Sequence, residues 1–516
     1  MQKNTTQPAT QTKTAAASST SANVDGNASS AGEYKLESAQ RIQVKTDLYQ
    51  AEIDTTGGDL RRLVLNKHRA SELNQGNFVL MDDAAKPMLY VAQTGLMGAD
   101  LPNHKSEFTT ANNAYELKEG EDSLEVKLGW VGNGPQVDKI YTFHRGQYLI
   151  DVRYEINNTS GASISPSVYY QIVHDDQSNQ GSAMMPTFTG GAYFTEEKKF
   201  NKINFEDMSK EAFSLHSPDG WVGLIQHYFA SAWIPKAGVE REFYTKKLSD
   251  HIYSVGAVTK VGDITAGAKT TVDAKLFAGP QTQGDLVAAA PGLEYAVDYG
   301  WLTIIAKPLF WLLSKIHGFV GNWGVAIILL TILIKAAFFK LSASSYRSMA
   351  QMRELAPRLQ AMKEKFGDDR QKMQQAMMDL YRTEKINPMG GCLPILVQIP
   401  VFIALYWVLL GSVELRHAPF FGWIKDLSAT DPLYILPLLM GISMIIQTYL
   451  NPAPTDPIQA KMMKIMPVIF SIFFFFFPAG LVLYWLVNNI LSIWQQWYIN
   501  KMIHAETLAK KGSGKR

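Results

Sequence analysis

One lysine in an apolar run is the residue of this sequence with the clearest chemical consequence. Lys335 follows the letters LLTILI and precedes AAFF. A charge at the centre of a membrane helix costs roughly 2.5–3.5 kcal/mol on insertion scales. Lys340 follows about 7.5 Å further along the helix, however, so the Lys335 side chain could snorkel to the lipid headgroups and avoid most of that cost. Two interpretations stay open: a snorkelling anchor, or a charge that lines a hydrophilic cavity.

Uncharged polar residues occur in the later apolar runs. They are Gln398, Gln447, Asn488 and Asn489. Hydrogen bonding between helices accounts for each of them alone, but together with Thr331 and Lys335 they could line one groove. These runs contain no acidic residue, and we find no inverted repeat, so a secondary transporter with a proton or sodium site is not indicated.

Signatures of enzymes are missing from the sequence. It contains no Walker loop, no His-Glu-x-x-His motif and no nucleophile elbow. The clustered triple His174, Asp175 and Asp176 is predicted to be a solvated loop. The single cysteine, Cys392, excludes an internal disulfide and a multi-cysteine metal site. We therefore expect a protein that is not an enzyme and holds no metal or cofactor.

The chain divides into two unlike halves, although 49 Lys and Arg nearly balance 47 Asp and Glu. Residues 1–34 are rich in small polar residues and predict a disordered linker. Residues 35–285 are predicted to form a large antiparallel β-sandwich. In one of the expected strands, apolar and polar residues alternate with the period of a half-buried strand, and the apolar set is Ile150, Val152, Tyr154 and Ile156.

The second half predicts an α-helical membrane bundle, so the fold class is multi-domain. Residues 299–317 indicate an amphipathic helix in the membrane interface, anchored by Trp301 and Trp311. A membrane core at 320–500 follows, with five spans expected at about 322–340, 394–413, 433–450, 465–478 and 480–499. Residues 343–385 predict a helical hairpin with a methionine-rich face, which is either a self-packed connector or an adaptable docking surface.

Basic residues in the loops predict the orientation of the spans. The segment 340–393 contains ten Lys and Arg residues, and the tail 501–516 contains five. Both are therefore expected in the cytoplasm, which places residues 1–300 on the outer side. Because residues 1–34 contain no export signal, we expect an N-terminal membrane anchor upstream of Met1, which would make six spans.

Several stretches resemble the YidC/Oxa/Alb insertase family, and together they cover most of 299–500. They are 318–324 (GFVGNWG), 387–394 (NPMGGCLP), 398–402 (QIPVF) and 477–485 (FPAGLVLYW). The β-rich region is similar to the periplasmic domain of Gram-negative members, at 220–222 (GWV) and 228–230 (YFA). In those members that domain is a β-sandwich similar to sugar-binding folds and is largely dispensable for insertion.

The resemblance implies a membrane protein insertase and chaperone that moves nascent transmembrane segments into the bilayer through a hydrophilic groove. Family members carry a positive charge, usually arginine, where this chain has Lys335, and lysine lacks the planar fork of arginine. The expected groove residues are Lys335, Thr331, Gln398, Tyr484, Trp485 and Asn489.

The resemblance also implies the partners and the location. The expected partners are nascent membrane proteins, the Sec translocon, the ribosome and signal recognition particle, and the lipid bilayer. The expected location is the bacterial inner membrane, with several spans, residues 1–300 in the periplasm and the C-terminus in the cytoplasm. One rival interpretation stays open, a sugar-binding envelope protein whose function lies in residues 35–285.

Overall fold

The computed structural model describes residues 34–70, 76–84, 89–132, 134–177, 181–182, 185–367, 369–384, 393–450 and 457–513. Three predicted features lie wholly or mostly outside these residues. They are the linker 1–34, the NPMGG motif that begins at Asn387, and the last three residues of the basic tail.

Strands are numbered in chain order. The first sheet has ten strands within the described residues: β1 (Arg41–Lys45), β2 (Tyr49–Asp54), β3 (Asp59–Arg69), β4 (Asn77–Met81), β5 (Tyr90–Met97), β7 (Ala114–Glu116), β11 (Ser167–Asp175), β16 (Ser214–Ser217), β19 (Arg241–Ser249) and β20 (Ile252–Lys260). Their order across the sheet is β16-β19-β20-β11-β5-β3-β2-β1-β7, with β4 beside β3. Most neighbours pair antiparallel, whereas β1 and β7 pair in parallel.

The second sheet has nine strands in the same described part of the chain: β6 (Thr109–Thr110), β8 (Ser123–Val131), β9 (Gln136–His144), β10 (Leu149–Asn157), β14 (Gly190–Thr195), β15 (Lys199–Ile203), β17 (Trp221–Gln226), β18 (Phe229–Pro235) and β21 (Lys269–Pro280). Their order is β15-β14-β17-β18-β21-β10-β9-β8-β6. A short hairpin consists of β12 (Gly181–Ser182) and β13 (Met185–Pro186). We call residues 41–280 the β-domain.

The two sheets pack face to face and enclose the core of the β-domain. The predicted alternation in β10 is confirmed: its apolar side chains are at most 1% exposed, and the residues between them are half-buried. Hydrogen bonds join the facing sheets: Trp233 Nε1 on β18 donates to the Gln171 carbonyl on β11 at 3.0 Å, and the Tyr49 hydroxyl on β2 donates to the Ala278 carbonyl on β21 at 2.8 Å. The predicted antiparallel β-sandwich is confirmed.

A buried charge lies in this core. The Lys139 ammonium on β9 donates to the carbonyls of Gly57 and Thr94, both at 3.0 Å, and lies 3.6 Å from an Asp59 carboxylate oxygen. Burial lowers the pKa of Lys139 to about 8, although the Asp59 carboxylate opposes the shift. The stability of the β-domain is therefore coupled to the protonation of this one group.

The prediction of a solvated loop at the His174 triple is wrong. His174 and Asp175 end β11, and both are buried. The two carboxylate oxygens of Asp175 accept from the backbone amides of Gln177 and Leu89, each at 2.9 Å. A buried carboxylate is stable here because it closes the turns at this end of the sheet.

The helices, also numbered in chain order, are α1 (Phe205–Lys210), α2 (Gln283–Ala289), α3 (Thr303–Val320), α4 (Trp323–Ala337), α5 (Phe339–Phe366), α6 (Arg370–Thr383), α7 (Leu393–Gly411), α8 (Ile435–Leu450), α9 (Pro457–Phe474) and α10 (Ala479–Ser513). α3 is the helix expected at 299–317, and α5 with α6 forms the expected hairpin, joined near its open end by Arg358 and Glu384 at 2.6 Å. α10 continues through most of the predicted tail 501–516.

The first expected span, 322–340, is divided after Ala337. In the described part of the chain no single helix combines the length and the apolarity needed to cross a membrane. α4 and the first part of α5, Phe339–Met352, meet both criteria together, with a bend of 65° between them. The sequence has neither proline nor glycine at the bend, so the local residues did not predict it.

The GNWG motif makes the tight connection from α3 to α4. Gly321 ends α3 in the left-handed region at φ 67°, and the Asn322 side chain accepts from the Val325 amide at 3.0 Å and so caps α4. Gly324 packs directly on Phe420, whose ring carbon would lie 2.0 Å from an added Cβ. The motif therefore fixes where α4 begins, and so fixes the position of Lys335 along that helix.

The loop between α7 and α8, residues 412–434, holds the start of α10. The amides of Ala479 and Gly480 donate to the carbonyls of Ala429 and Leu427, at 2.7 and 2.9 Å. The first amides of any helix have no hydrogen-bond acceptor within that helix, and here the loop supplies the acceptors. Just before this loop, the end of α7 meets the β-domain, where His227 Nε2 donates to the Leu410 carbonyl at 3.0 Å.

Candidate functional site

Lys335 turns inward from the last full turn of α4. Its side chain is only 8% exposed, and Nζ donates to Ser492 Oγ on α10 at 2.7 Å. In the structure the ammonium therefore lies among helices and not at the exposed end of α4. The two residues are 157 positions apart in the chain, and the packing of α10 against α4 brings them together.

A cavity of about 360 Å³ adjoins the Lys335 side chain, and we call it the groove. α4, α5, α7, α8 and α10 each contribute to its wall. The lining residues are Lys335, Ser342, Ser345, Tyr346, Met349, Gln398, Ile399, Phe402, Met444, Gln447, Thr448, Tyr484, Trp485, Asn488, Asn489 and Ser492. No acidic side chain is among these described residues. The groove therefore has a mixed polar and apolar lining and carries one basic group.

Most of the residues expected in a groove do line it. Lys335, Gln398, Tyr484, Trp485 and Asn489 are brought together there. The Asn489 side chain also contacts α8, where its amide nitrogen donates to Ser443 Oγ at 3.3 Å.

Thr331 is not among the lining residues. It lies one helical turn before Lys335 and therefore on the same face of α4. Its hydroxyl donates to the Ile327 carbonyl of its own helix at 2.7 Å, and the residue is buried. A role of Thr331 in the groove stays a prediction.

Aromatic rings form one side of the groove. Phe402 of α7 packs against Trp485 with ring centroids 4.1 Å apart, and lies parallel to Tyr484 at 6.3 Å. Pro478 ends the connection before α10, so Tyr484 and Trp485 fall in its first two turns. These rings give an apolar edge beside the amides, and the groove offers both kinds of surface to a passing chain.

Sequence reasoning missed five polar residues of the groove: Ser342, Ser345, Tyr346, Thr448 and Ser492. A signal for Ser492 was present, because polar residues recur every three or four positions along α10 and so share one face. That stripe comprises Asn488, Asn489, Ser492, Gln495 and Gln496. The α5 residues could not be predicted in this way, because the bend at Phe338 turns them toward the groove and the sequence did not predict that bend.

The described residues contain no cluster of side chains suited to binding a metal ion. Within the described ranges, no group of three or more His, Cys, Asp or Glu side chains could hold a metal ion. What the groove can do is solvate polar groups and attract negative charge.

Known protein families and relatives match this chain along nearly its whole length. A family model described as the YidC periplasmic domain matches residues 41–312, and one described as a 60Kd inner membrane protein matches residues 315–506. The membrane protein insertase YidC of Methylobacillus flagellatus is 67% identical over 484 residues, which are 94% of this chain and 88% of the relative. That of Aromatoleum aromaticum is 55% identical over 478 residues, or 92% and 87%.

Among solved structures, the chain is similar to a crystal structure of an active YidC insertase with the first transmembrane domain resolved. The identity is 20%, the TM-score is 0.41, and the similarity covers 90% of this chain and 93% of the other. The two family models and the two relatives decide the assignment: the chain belongs to the YidC family of membrane protein insertases, which are bacterial inner-membrane proteins with a periplasmic domain.

Proposed function

We propose that this chain moves nascent transmembrane segments into the lipid bilayer through the groove beside Lys335. The observation that carries the proposal is the buried Lys335 ammonium. Its hydrogen-bond partner is a neutral hydroxyl, and the adjoining cavity is lined by amides and hydroxyls together with apolar and aromatic side chains. A buried cation without an acidic neighbour is costly to a fold, so its presence favours a functional role.

The groove would act by lowering a partitioning barrier. An apolar client segment already gains free energy on entering lipid, about 25 cal/mol per Å² of apolar surface removed from water. The barrier is the transfer of its polar flanking tail across hydrocarbon. Gln398 and Asn489 would replace part of the tail's hydration midway, while Tyr484 and Trp485 would contact its apolar part. This activity makes and breaks no covalent bond and needs no cofactor.

Lys335 would favour clients with acidic tails. At an effective dielectric constant near 20 and a separation of about 6 Å, a carboxylate gains about 2.8 kcal/mol from the ammonium. Water and salt reduce that gain, so about a tenfold effect on rate is expected. Lysine is a compact point charge, so it can attract a moving carboxylate without requiring a fixed bidentate geometry.

We further propose a multi-pass topology with five spans. The first is α4 together with the start of α5, and the others are α7, α8, α9 and α10. The basic hairpin and the end of α10 would be cytoplasmic and the β-domain periplasmic, in line with the distribution of Lys and Arg. α3 would lie in the outer interface, since the large apolar side chains of Trp301, Ile304, Trp311 and Phe319 on or beside it are exposed.

The proposed partners follow from charge and from the family. The α5–α6 hairpin lies in the segment 340–393, whose ten Lys and Arg residues outnumber its six Asp and Glu residues, so it would attract the anionic RNA of a ribosome. The Sec translocon and the signal recognition particle pathway are proposed on the family resemblance.

A binding role for the β-domain is the alternative. It would use a larger cavity, of about 770 Å³, on the outer side of β10 and β21. The charges on its floor alternate in sign across paired strands, since Asp151 lies opposite Lys275 and Arg153 opposite Asp273. The whole lining holds five carboxylates and three basic side chains, so its charges oppose one another, whereas the groove holds one ammonium and no carboxylate in its lining. We therefore favour the groove.

Reconstitution tests the proposed function. The purified full-length protein is placed in protein-free liposomes and given a short client with an acidic tail, without nucleotide or membrane potential. We expect insertion well above that of empty liposomes, and loss of most of the gain with Lys335→Glu. Insertion no faster than in empty liposomes, from protein whose fold is verified in the same vesicles, would contradict the proposal.

A further inference from the structure

We propose that Ser492 is a positioning residue that holds the Lys335 ammonium at the wall of the groove, so that selection of clients by charge depends on this serine. The inference rests on the proposed function of the groove and adds to it a residue that acts only through Lys335.

The hydrogen bonds of Ser492 define its role. Its hydroxyl lies 2.7 Å from the Asn488 carbonyl, one turn earlier in α10, and 2.7 Å from Lys335 Nζ. A hydroxyl has one proton to donate and lone pairs to accept. The carbonyl can only accept and the ammonium can only donate, so the hydroxyl donates to Asn488 and presents a lone pair to Lys335.

A third helix completes the arrangement. The Tyr346 hydroxyl on α5 lies 3.4 Å from the Ser492 carbonyl oxygen, to which it donates. Ser492 itself is only 5% exposed. The acceptor for Lys335 therefore lies at the junction of α4, α5 and α10, and its position is fixed by backbone groups of α10.

Serine suits this place better than an acid for an electrostatic reason. A lysine has four flexible side-chain bonds and can extend toward the headgroups instead of the groove. A carboxylate at 492 would hold the ammonium but would also neutralise its charge. A hydroxyl holds it by one hydrogen bond and leaves the positive charge and two of its three protons for a client.

The expected effects are specific to charge. Ser492→Ala should slow insertion of an acidic-tailed client by about threefold to tenfold, because its effect passes through Lys335 and cannot exceed the roughly tenfold contribution of that charge. A client with a neutral tail of the same length should be unaffected. Ser492→Thr keeps the acceptor and should behave like the wild type. Ser492→Asp keeps an acceptor but neutralises the charge, and it should lose the preference for acidic tails.

A double-mutant cycle tests the inference in liposomes with the full-length protein. Ser492→Ala and Lys335→Gln are compared singly and together, on clients that differ only in tail charge. We expect Ser492→Ala to add no further slowing in the Lys335→Gln background. The matched control is Ser412→Ala, which removes a buried hydroxyl with the same four-residue hydrogen bond, to Val408 at 2.6 Å, away from the groove. It should leave the ratio of the two rates unchanged.

The outcomes separate this inference from the proposed function. Equal slowing of acidic and neutral clients by Ser492→Ala, or undiminished slowing in the Lys335→Gln background, would overturn the positioning role. If Ser492→Ala does not fold, Ser492→Asp decides: a retained preference for acidic tails overturns the role. If Lys335→Gln itself leaves the preference for acidic tails intact, the electrostatic function of the groove fails, and this inference fails with it.

Discussion

The guanidinium of Arg416, in the loop between α7 and α8, lies over the ring of Phe229 in the β-domain, 5.6 Å from its centroid. It also lies 5.3 Å from the ring centroid of Phe78, which stacks on Phe229 at 4.0 Å, and it donates to the Ala70 carbonyl at 2.9 Å. The loop that holds the start of α10 is thus also fastened to the β-domain.

Removing this guanidinium should weaken the β-domain within the intact protein. For Arg416→Ala we expect a loss of about 1–2 kcal/mol, from the cation–π contacts with the two stacked rings and one hydrogen bond. The measurement is the urea concentration at which the β-domain becomes sensitive to protease in detergent-solubilised protein. Lys45→Ala is the control, since the Lys45–Glu116 ion pair is exposed at both ends and should contribute almost nothing. Equal midpoints for Arg416→Ala and wild type would contradict the contact.

The buried Lys139 should make the stability of the β-domain rise with pH. Its folded pKa is lowered to about 8, while the unfolded value is about 10.4. Between these values the unfolded chain binds up to one more proton than the folded protein, so the free energy of unfolding should increase with pH by about 1 kcal/mol per pH unit. The same urea assay at pH 8.0 and 9.5 measures this. The upper limit stays below a pKa of about 10, at which tyrosines of the unfolded chain ionise. Burial raises the pKa values of Tyr141 and Tyr154, which contact the ammonium, so both stay protonated in the folded protein over this range.

The variants are compared by how steeply the free energy of unfolding changes with pH, and not by their absolute stability. Lys139→Met should remove the rise with pH whatever its own midpoint, whereas Lys127→Met, at an exposed lysine on the neighbouring strand, should keep it. A rise of the same size in Lys139→Met would assign the pH dependence to another group.

The close approach of Gly324 to Phe420 predicts a packing defect on substitution. An added Cβ would lie 2.0 Å from a ring carbon and 2.8 Å from Cβ of Phe420, so the two segments must shift apart. Gly324→Ala should cost about 1–3 kcal/mol. Gly318→Ala, on α3 with nothing within 4 Å of the added atom, is the matched control and should be neutral or stabilising. The readout is thermal unfolding in detergent, and a neutral Gly324→Ala would contradict the packing.

The sequence predicted the parts of this fold that follow from local periodicity. The alternation in β10 predicted a buried strand, and the apolar runs predicted α7, α8 and α10 to within a few residues, apart from the extension of α10 through the basic tail. The bend after Ala337 was missed because the run stays apolar through Phe339, and a bend without proline or glycine depends on the helices packed around it. The start of α9 at Pro457 was missed because its first turns contain Lys461 and Lys464 and do not resemble a span.

The candidate site was predictable in its charged centre and not in its partners. An isolated lysine in an apolar run is visible from composition, and family motifs identified Gln398, Tyr484 and Trp485. The contact of Lys335 with Ser492 joins residues 157 positions apart, so no local pattern contains it. The polar stripe of α10 indicated which face of that helix is buried, but it could not indicate that α4 lies against it.

The measurement that tests the central claim most directly is the insertion rate of a client series that differs only in tail charge. Wild type is compared with Lys335→Arg, Lys335→Gln and Lys335→Glu in the same liposomes. We expect Lys335→Arg to preserve the rates, Lys335→Gln to slow acidic tails about tenfold, and Lys335→Glu to be slowest, with neutral tails nearly unaffected throughout. Equal slowing of acidic and neutral tails by Lys335→Gln would show that Lys335 supports the structure of the groove and does not attract the client.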